Sequence, residues 1–175
     1  FSTRTPEKGS LARVSTYIKN VRKTYHQNAL LFDNGDILQG QPTSYYYNYI
    51  YTSATHLCAL MQNYIKYDLG NLGNHDIETS TKVFTRWAKE CDFPIVCANA
   101  ISNATNKPYY EPYHIFIRNG VKIAVLGMIT AAIPSWLSTD VYAGFHFDDM
   151  QTTARYWVNL VNEKEHPALL VGLFH

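Results

Sequence analysis

A short apolar run, then a loop of Gly, Asp and Asn, then a stretch able to form a helix: the chain uses this order twice before residue 90, and the order restricts the fold more than any single residue does. Residues 29–32 run into Asp33-Asn34-Gly35-Asp36, and residues 67–69 run into Gly70-Asn71-Leu72-Gly73-Asn74-His75-Asp76. Helical crossovers carry the chain back to the same end of a sheet, so strands joined in this way pair in parallel. The pattern predicts a layered α/β fold, a mixed sheet with mostly parallel strands and flanking helices. Open sheets of this kind collect ligands at the carboxyl ends of their strands, which places the expected chemistry in these loops.

The remaining segments extend this reading. Ser10 stands before Leu11, Val14, Ile18 and Val21, the spacing of one helical face, and the helix is expected to end near His26. Residues 43–64 contain no Pro or Gly and are long enough for one helix, although Tyr45-Tyr46-Tyr47 taken alone would favour a strand. Thr79 or Ser80 can cap a helix over 82–89, and residues 94–98 read as a third short strand. Asn119-Gly120 between the apolar runs 113–118 and 121–128 predicts a type I′ hairpin. Asp148-Asp149 suits the start of a helix over 152–161, where negative charge complements the helix dipole, and Pro167 marks the start of a buried strand at 168–174. With 175 residues, no internal sequence repeat and no linker-like composition, residues 1–175 read as a single domain.

Composition narrows the function classes. Apolar residues make up 46% and charged residues 17%, a balance that folds rather than staying disordered. Lys plus Arg number 15 against 14 Asp plus Glu, which leaves a net charge of +1 and no global field to attract a nucleic-acid duplex or a membrane surface. No apolar run approaches the ~18 residues that cross a bilayer. Cys58, Cys91 and Cys97 form no CxxC pair and are expected to be buried thiols. The chain starts at Phe1 and stops at His175 directly behind an apolar run, so a fragment cut at both ends is expected.

Asp36, Asn74-His75 and His175 each follow an apolar strand. A carboxylate, an amide oxygen and an imidazole together suit hard to borderline divalent ions such as Mn²⁺, Zn²⁺ or Fe²⁺, and only the fold can bring residues this far apart together. His26, His56, His114, His146 and His166 lack ligand-like spacing and read as surface or packing residues. Tyr45, Tyr46, Tyr47, Tyr49 and Tyr51 point to several faces of a helix, which favours packing over base stacking. No P-loop and no GxSxG motif is present.

The ordered combination is more specific than its members. Gly35-Asp36-Ile37-Leu38-Gln39-Gly40 and Gly73-Asn74-His75-Asp76-Ile77-Glu78 resemble the GDxxQG and GNH(D/E) blocks of calcineurin-like metallophosphoesterases. Gly9-Ser10-Leu11-Ala12-Arg13, Gln39-Gly40-Gln41-Pro42 and Cys97-Ala98-Asn99-Ala100 are similar to the 5′-nucleotidase and 2′,3′-cyclic-nucleotide 2′-phosphodiesterase branch, so the resemblance spans nearly the whole chain.

That resemblance implies a metallophosphoesterase-type sandwich and hydrolysis of nucleotides or cyclic nucleotides with two divalent metal ions (Mn, Zn or Fe). It implies that Asp36 bridges the ions, that Asn74 and His175 are further ligands, that His75 is a catalytic histidine outside the ligand set, and that Glu78 stands where relatives often place an Asp that orients it. It also implies a periplasmic or extracellular parent. Complete relatives carry an Asp-x-His pair and a Gly-His-x-His block, and neither is in this sequence. The domain therefore reads as incomplete, weak or inactive alone, and able to self-associate through an unpaired sheet edge. The alternative is a non-catalytic binding or assembly module on a degenerate phosphoesterase fold.

Overall fold

The computed structural model describes residues 10–175, apart from the side chain of Gln27, so Gly9 of the first motif lies outside the described residues. The chain divides into two units, one ending at Leu30 and one spanning Leu31–His175. The first contains helix α1 (Leu11–Tyr25). Its N-cap is Ser10, whose hydroxyl accepts from the Arg13 N–H at 3.3 Å. Arg22 and Lys23 put positive charge in its last turn, and the chain leaves the helix at His26 with φ 54°.

The second unit carries three sheets of three strands each. Strands β1 (Phe32–Asp33), β2 (Leu69–Asn71) and β3 (Ile95–Val96) pair in parallel in the order β1-β2-β3. Their connections are helical. After β1 come α2 (Pro42–Tyr45), a π-helical turn (Tyr46–Ile50) and α3 (Leu57–Ile65). After β2 come α4 (Asn74–Glu78) and α5 (Thr81–Glu90). Strands β2 and β3 are buried throughout, as expected of parallel strands covered on both faces. The core between helices and sheet contains Leu38, Leu72, Ile77, Phe84, Trp87 and Ile129.

Strands β6 (Tyr113–Arg118) and β7 (Val121–Met128) form the hairpin that Asn119-Gly120 predicts. Both turn residues have positive φ, 51° and 78°, the signature of a type I′ turn. Helices α6 (Ile133–Trp136) and α7 (Met150–Glu165) lie between β7 and strand β9 (Leu169–Phe174), which pairs in parallel with β7. Asp149 caps α7, accepting from the Thr152 N–H at 2.8 Å. The Ala98 N–H donates to the Gly127 carbonyl at 2.8 Å, so the segment leaving β3 also bonds to β7. The third sheet, antiparallel, joins β4 (Ala100–Ser102), β5 (Lys107–Pro108) and β8 (Phe145–Phe147). Its strands, of two or three residues, are too short to show an alternating pattern in the sequence. No helix among the described residues is long and apolar enough to cross a membrane.

Four expectations need correction. The strand expected to be buried at 168–174 is β9, which among the described residues pairs with β7 alone and leaves Leu169 and Phe174 exposed. The single helix expected over 43–64 is broken: Tyr51 leaves helical geometry at φ −97° and ψ 69°, and α3 begins only after His56. The cause is tertiary. Arg86 on α5 donates to the carbonyls of Tyr47 and Thr52, drawing off acceptors at the end of the first helical segment. The His56 ring then caps α3, its Nδ1 accepting from the Cys58 N–H at 3.1 Å. Cys91 is only half-buried, unlike Cys58 and Cys97. Among the clustered tyrosines, Tyr45, Tyr46, Tyr49 and Tyr51 are exposed and pack on one another: the rings of Tyr45 and Tyr49 lie 4.9 Å apart.

His56 is fully buried, with Nε2 at 2.6 Å from Asn48 Oδ1. Because Nδ1 accepts, Nε2 must carry the proton and donate to Asn48, which in turn donates to the Leu38 carbonyl at 2.9 Å. Burial, helped by the Arg86 charge, lowers its pKa to about 4. The folded state thus favours the neutral ring, and the stability this contributes is present above the ordinary ~6.5 and lost as pH falls through about 4. His56→Gln is expected to lower stability at neutral pH by about 1 kcal/mol through loss of the cap. Urea midpoints should show the gap between variant and parent narrowing toward pH ~4. A gap that stays constant with pH would contradict the neutral, buried ring.

Candidate metal centre

The loop after β1 and the loop after β2 approach each other backbone to backbone. Gly35 has φ 95° and Asp36 φ 68°, the left-handed conformation that glycine and aspartate tolerate best. A Cβ on Gly73 would lie 2.2 Å from Asp36 Oδ1, and one on Gly35 would lie 2.3 Å from the Gly73 nitrogen. Only glycines allow the two loops to meet here.

Asp76 joins them. Its carboxylate is fully buried and accepts four backbone N–H bonds: Oδ2 from Asp36 at 2.8 Å and Gly73 at 2.9 Å, Oδ1 from Ile37 and Leu38 at 3.0 Å each. Burial pushes its pKa above the ordinary carboxylate range, and the backbone donors pull the other way. Asp33, at the end of β1, accepts from the Gly35 N–H at 3.2 Å and from Gln62 Nε2. Gln62 accepts from Trp87 Nε1 at 2.8 Å, which ties the β1 end into the core. Burial first, then the Asp76 charge, raise Asp33 to about 7.

Three of the expected site residues meet within this frame. His175 Nε2 lies 3.2 Å from Asp36 Oδ1 and 3.2 Å from Asn74 Oδ1. Its other ring nitrogen, Nδ1, lies 2.6 Å from the Asn34 carbonyl oxygen. A carbonyl can only accept, so Nδ1 donates; in a neutral ring this leaves the Nε2 lone pair facing the two oxygens. Three electron-pair donors then face one point, a combination that a cation relieves. The set fits one divalent ion of the Mn²⁺, Zn²⁺ or Fe²⁺ kind. Among the described residues no group of three His, Cys, Asp or Glu could hold an ion, so ligands for a second one are not found there.

His75 follows Asn74 in the first turn of α4, and its backbone N–H donates to Asp36 Oδ1 at 3.0 Å. Its ring is half-exposed, with Nδ1 at 2.8 Å from Glu78 Oε2. Residues three apart on a helix face one another, which lets the longer carboxylate of Glu78 reach. The bond to Glu78 raises the His75 pKa. No local sequence pattern singles out Asp33 or Gln62, which gain their roles only when the loops meet. Asp76 carried a signal, since an acidic residue at the third position of a helix can bond back to the N-terminal N–H.

Truncating the carboxylate strands four backbone donors, those of Leu38 and Gly73 buried and those of Asp36 and Ile37 partly so. Asp76→Ala is expected to cost about 3 kcal/mol or more, read from urea unfolding. A loss below about 1 kcal/mol would show that the two loops hold together without it.

No family model matches the chain. A 5′-nucleotidase of Vibrio cholerae is 33% identical over 111 residues, covering 63% of this chain and 20% of the relative. A 2′,3′-cyclic-nucleotide 2′-phosphodiesterase/3′-nucleotidase of Yersinia enterocolitica is 27% identical over 186 residues, covering 100% of this chain and 28% of the relative. The crystal structure of a calcineurin-like phosphoesterase of Bacillus subtilis superposes with a TM-score of 0.84 at 28% identity, over 99% of this chain and 55% of that one. The chain thus spans less than a third of the length of these curated relatives. Its homologues are members of the 5′-nucleotidase and 2′,3′-cyclic-nucleotide phosphodiesterase family, its structural neighbours are calcineurin-like phosphoesterases, and it corresponds to part of them.

Proposed function

We propose that this chain is part of a metal-dependent phosphoester hydrolase acting on nucleotides, of the 5′-nucleotidase or 2′,3′-cyclic-nucleotide phosphodiesterase type. The observation that carries the proposal is the meeting of Asp36 Oδ1, Asn74 Oδ1 and His175 Nε2, from three strand ends, at 3.2 Å about the imidazole nitrogen. The names of the homologues support the substrate class. An exported or periplasmic setting for the parent belongs to the same reading and rests on the resemblance.

In this proposal Asp36, Asn74 and His175 hold the metal, and the Asp36 carboxylate offsets its positive charge. The chemistry supplied by bound divalent ions is polarisation of the phosphoryl oxygens and acidification of a water. The rest falls to the protein. Glu78 accepts from His75 Nδ1 and holds the ring as a donor through Nε2, and the raised pKa keeps that ring protonated to higher pH than an ordinary histidine. His75 Nε2–H would then pass its proton to the departing alkoxide. Residues 10–175 alone offer too few ligands for a two-ion site, which supports weak turnover by this segment in isolation. The outer edge of β1 pairs with no strand among the described residues, which supports self-association there.

Two substitutions in the full-length protein separate the roles. His75→Asn is expected to lower turnover of a nucleotide by roughly 10² to 10⁴ fold with metal content nearly unchanged, because proton transfer is lost and no ligand is removed. Asp36→Asn is expected to lose metal, measured by elemental analysis. Equal metal loss in both variants would refute this division. No metal-dependent turnover in the unmodified full-length protein would favour a binding module instead.

A further inference from the structure

The imidazole of His175 is held by residues outside the Asp36, Asn74 and His175 set. His175 sits immediately after β9, where its backbone N–H donates to the Met128 carbonyl at 3.1 Å. That bond fixes the main chain and leaves the imidazole free to turn. The turn is fixed at Nδ1, which donates at 2.6 Å to the carbonyl of Asn34.

The Asn34 carbonyl is itself anchored twice. Its own side-chain Nδ2 donates to the Phe174 carbonyl at 2.9 Å, the residue just before His175. Its Oδ1 accepts from Asn71 Nδ2 at 3.2 Å. Asn71 is fully buried at the end of β2, and the same Nδ2 also faces the carbonyls of Met128 at 2.8 Å and Leu173 at 3.2 Å. One amide thus gathers the loop after β1, the end of β7 and the end of β9. Its Oδ1 is buried with no partner among the described residues, so what the position secures comes from the donor end. Aspartate has no such donor, and threonine is too short to span three elements.

We propose that Asn34 and Asn71 are positioning residues that lock His175 as its Nδ1–H tautomer, so that Nε2 faces Asp36 and Asn74. The inference deepens the metallophosphoesterase reading, since it assigns the residues that preset the third metal ligand before an ion arrives. A ligating histidine whose second nitrogen is committed to a fixed acceptor loses less freedom on binding and presents the correct lone pair.

The test uses the full-length protein labelled with ¹⁵N-histidine, freed of metal and held at about pH 8.5, above the ordinary imidazole pKa. Long-range ¹H–¹⁵N correlation reads the tautomer, with His175→Gln giving the assignment. The unmodified protein is expected to show Nδ1–H. Asn34→Ala and Asn71→Ala are expected to admit the Nε2–H form and to weaken Mn²⁺ binding, by calorimetry, roughly 10 to 100 fold. A merely structural role would lower thermal stability and leave the tautomer unchanged. Asn34 is exposed, so Asn34→Ala decides the matter if Asn71→Ala does not fold. An Nε2–H ring in the unmodified protein, or an unchanged tautomer in Asn34→Ala, overturns the proposal. Failure of the unmodified protein to bind Mn²⁺ would sink the phosphoesterase reading instead, while the tautomer comparison still decides this one.

Discussion

One buried carboxylate organises the site. Asp76 takes N–H bonds from the loops after β1 and β2, two on each oxygen, and so sets the distance between the strand ends that carry Asp36 and Asn74. A carboxylate shared between loops works because the polar groups it serves are backbone donors that the left-handed turn at Gly35-Asp36 leaves without partners. The interlocked glycines permit the approach and Asp76 holds it. Neither would suffice alone: with a side chain at Gly73 the loops could not close, and without the carboxylate they would have little reason to.

The third arm arrives from far along the chain. His175 reaches the loop after β1 through a hydrogen bond spanning 141 residues to Asn34, and β9 can deliver it only because it pairs with β7 over its whole length. Polar links behind the site run to the core on one side, through Asp33, Gln62 and Trp87, and to the β7 and β9 ends on the other, through Asn71. This stiffens a site at the rim of a sheet: Asp36 is held through Asp76, and His175 through Asn34 and then Asn71.

What sequence could reveal follows from range. The hairpin over 113–128 was legible because Asn-Gly demands positive φ at two adjacent residues, and α1 because Ser10 and the apolar spacing are local signals. The positions of Asp36, Asn74 and His175 were legible because each follows an apolar run, and the two Gly-rich blocks gave the resemblance. The break at Tyr51–His56 was not, since it depends on Arg86 taking carbonyls from another element and on a buried His56–Asn48 pair. Nor were the roles of Asp33, Gln62 and Asn71, which exist only once distant loops have met. Strands of two or three residues such as β4 and β5 carry too little pattern to announce themselves.

The central claim is that Asp36, Asn74 and His175 hold a divalent ion. Anomalous diffraction at the zinc edge, from crystals of the full-length protein soaked in Zn²⁺, tests it most directly. The account predicts a peak within ~2.0–2.2 Å of Asp36 Oδ1, Asn74 Oδ1 and His175 Nε2. A peak elsewhere, or none while His175 Nε2 stays 3.2 Å from Asp36 Oδ1, would contradict it.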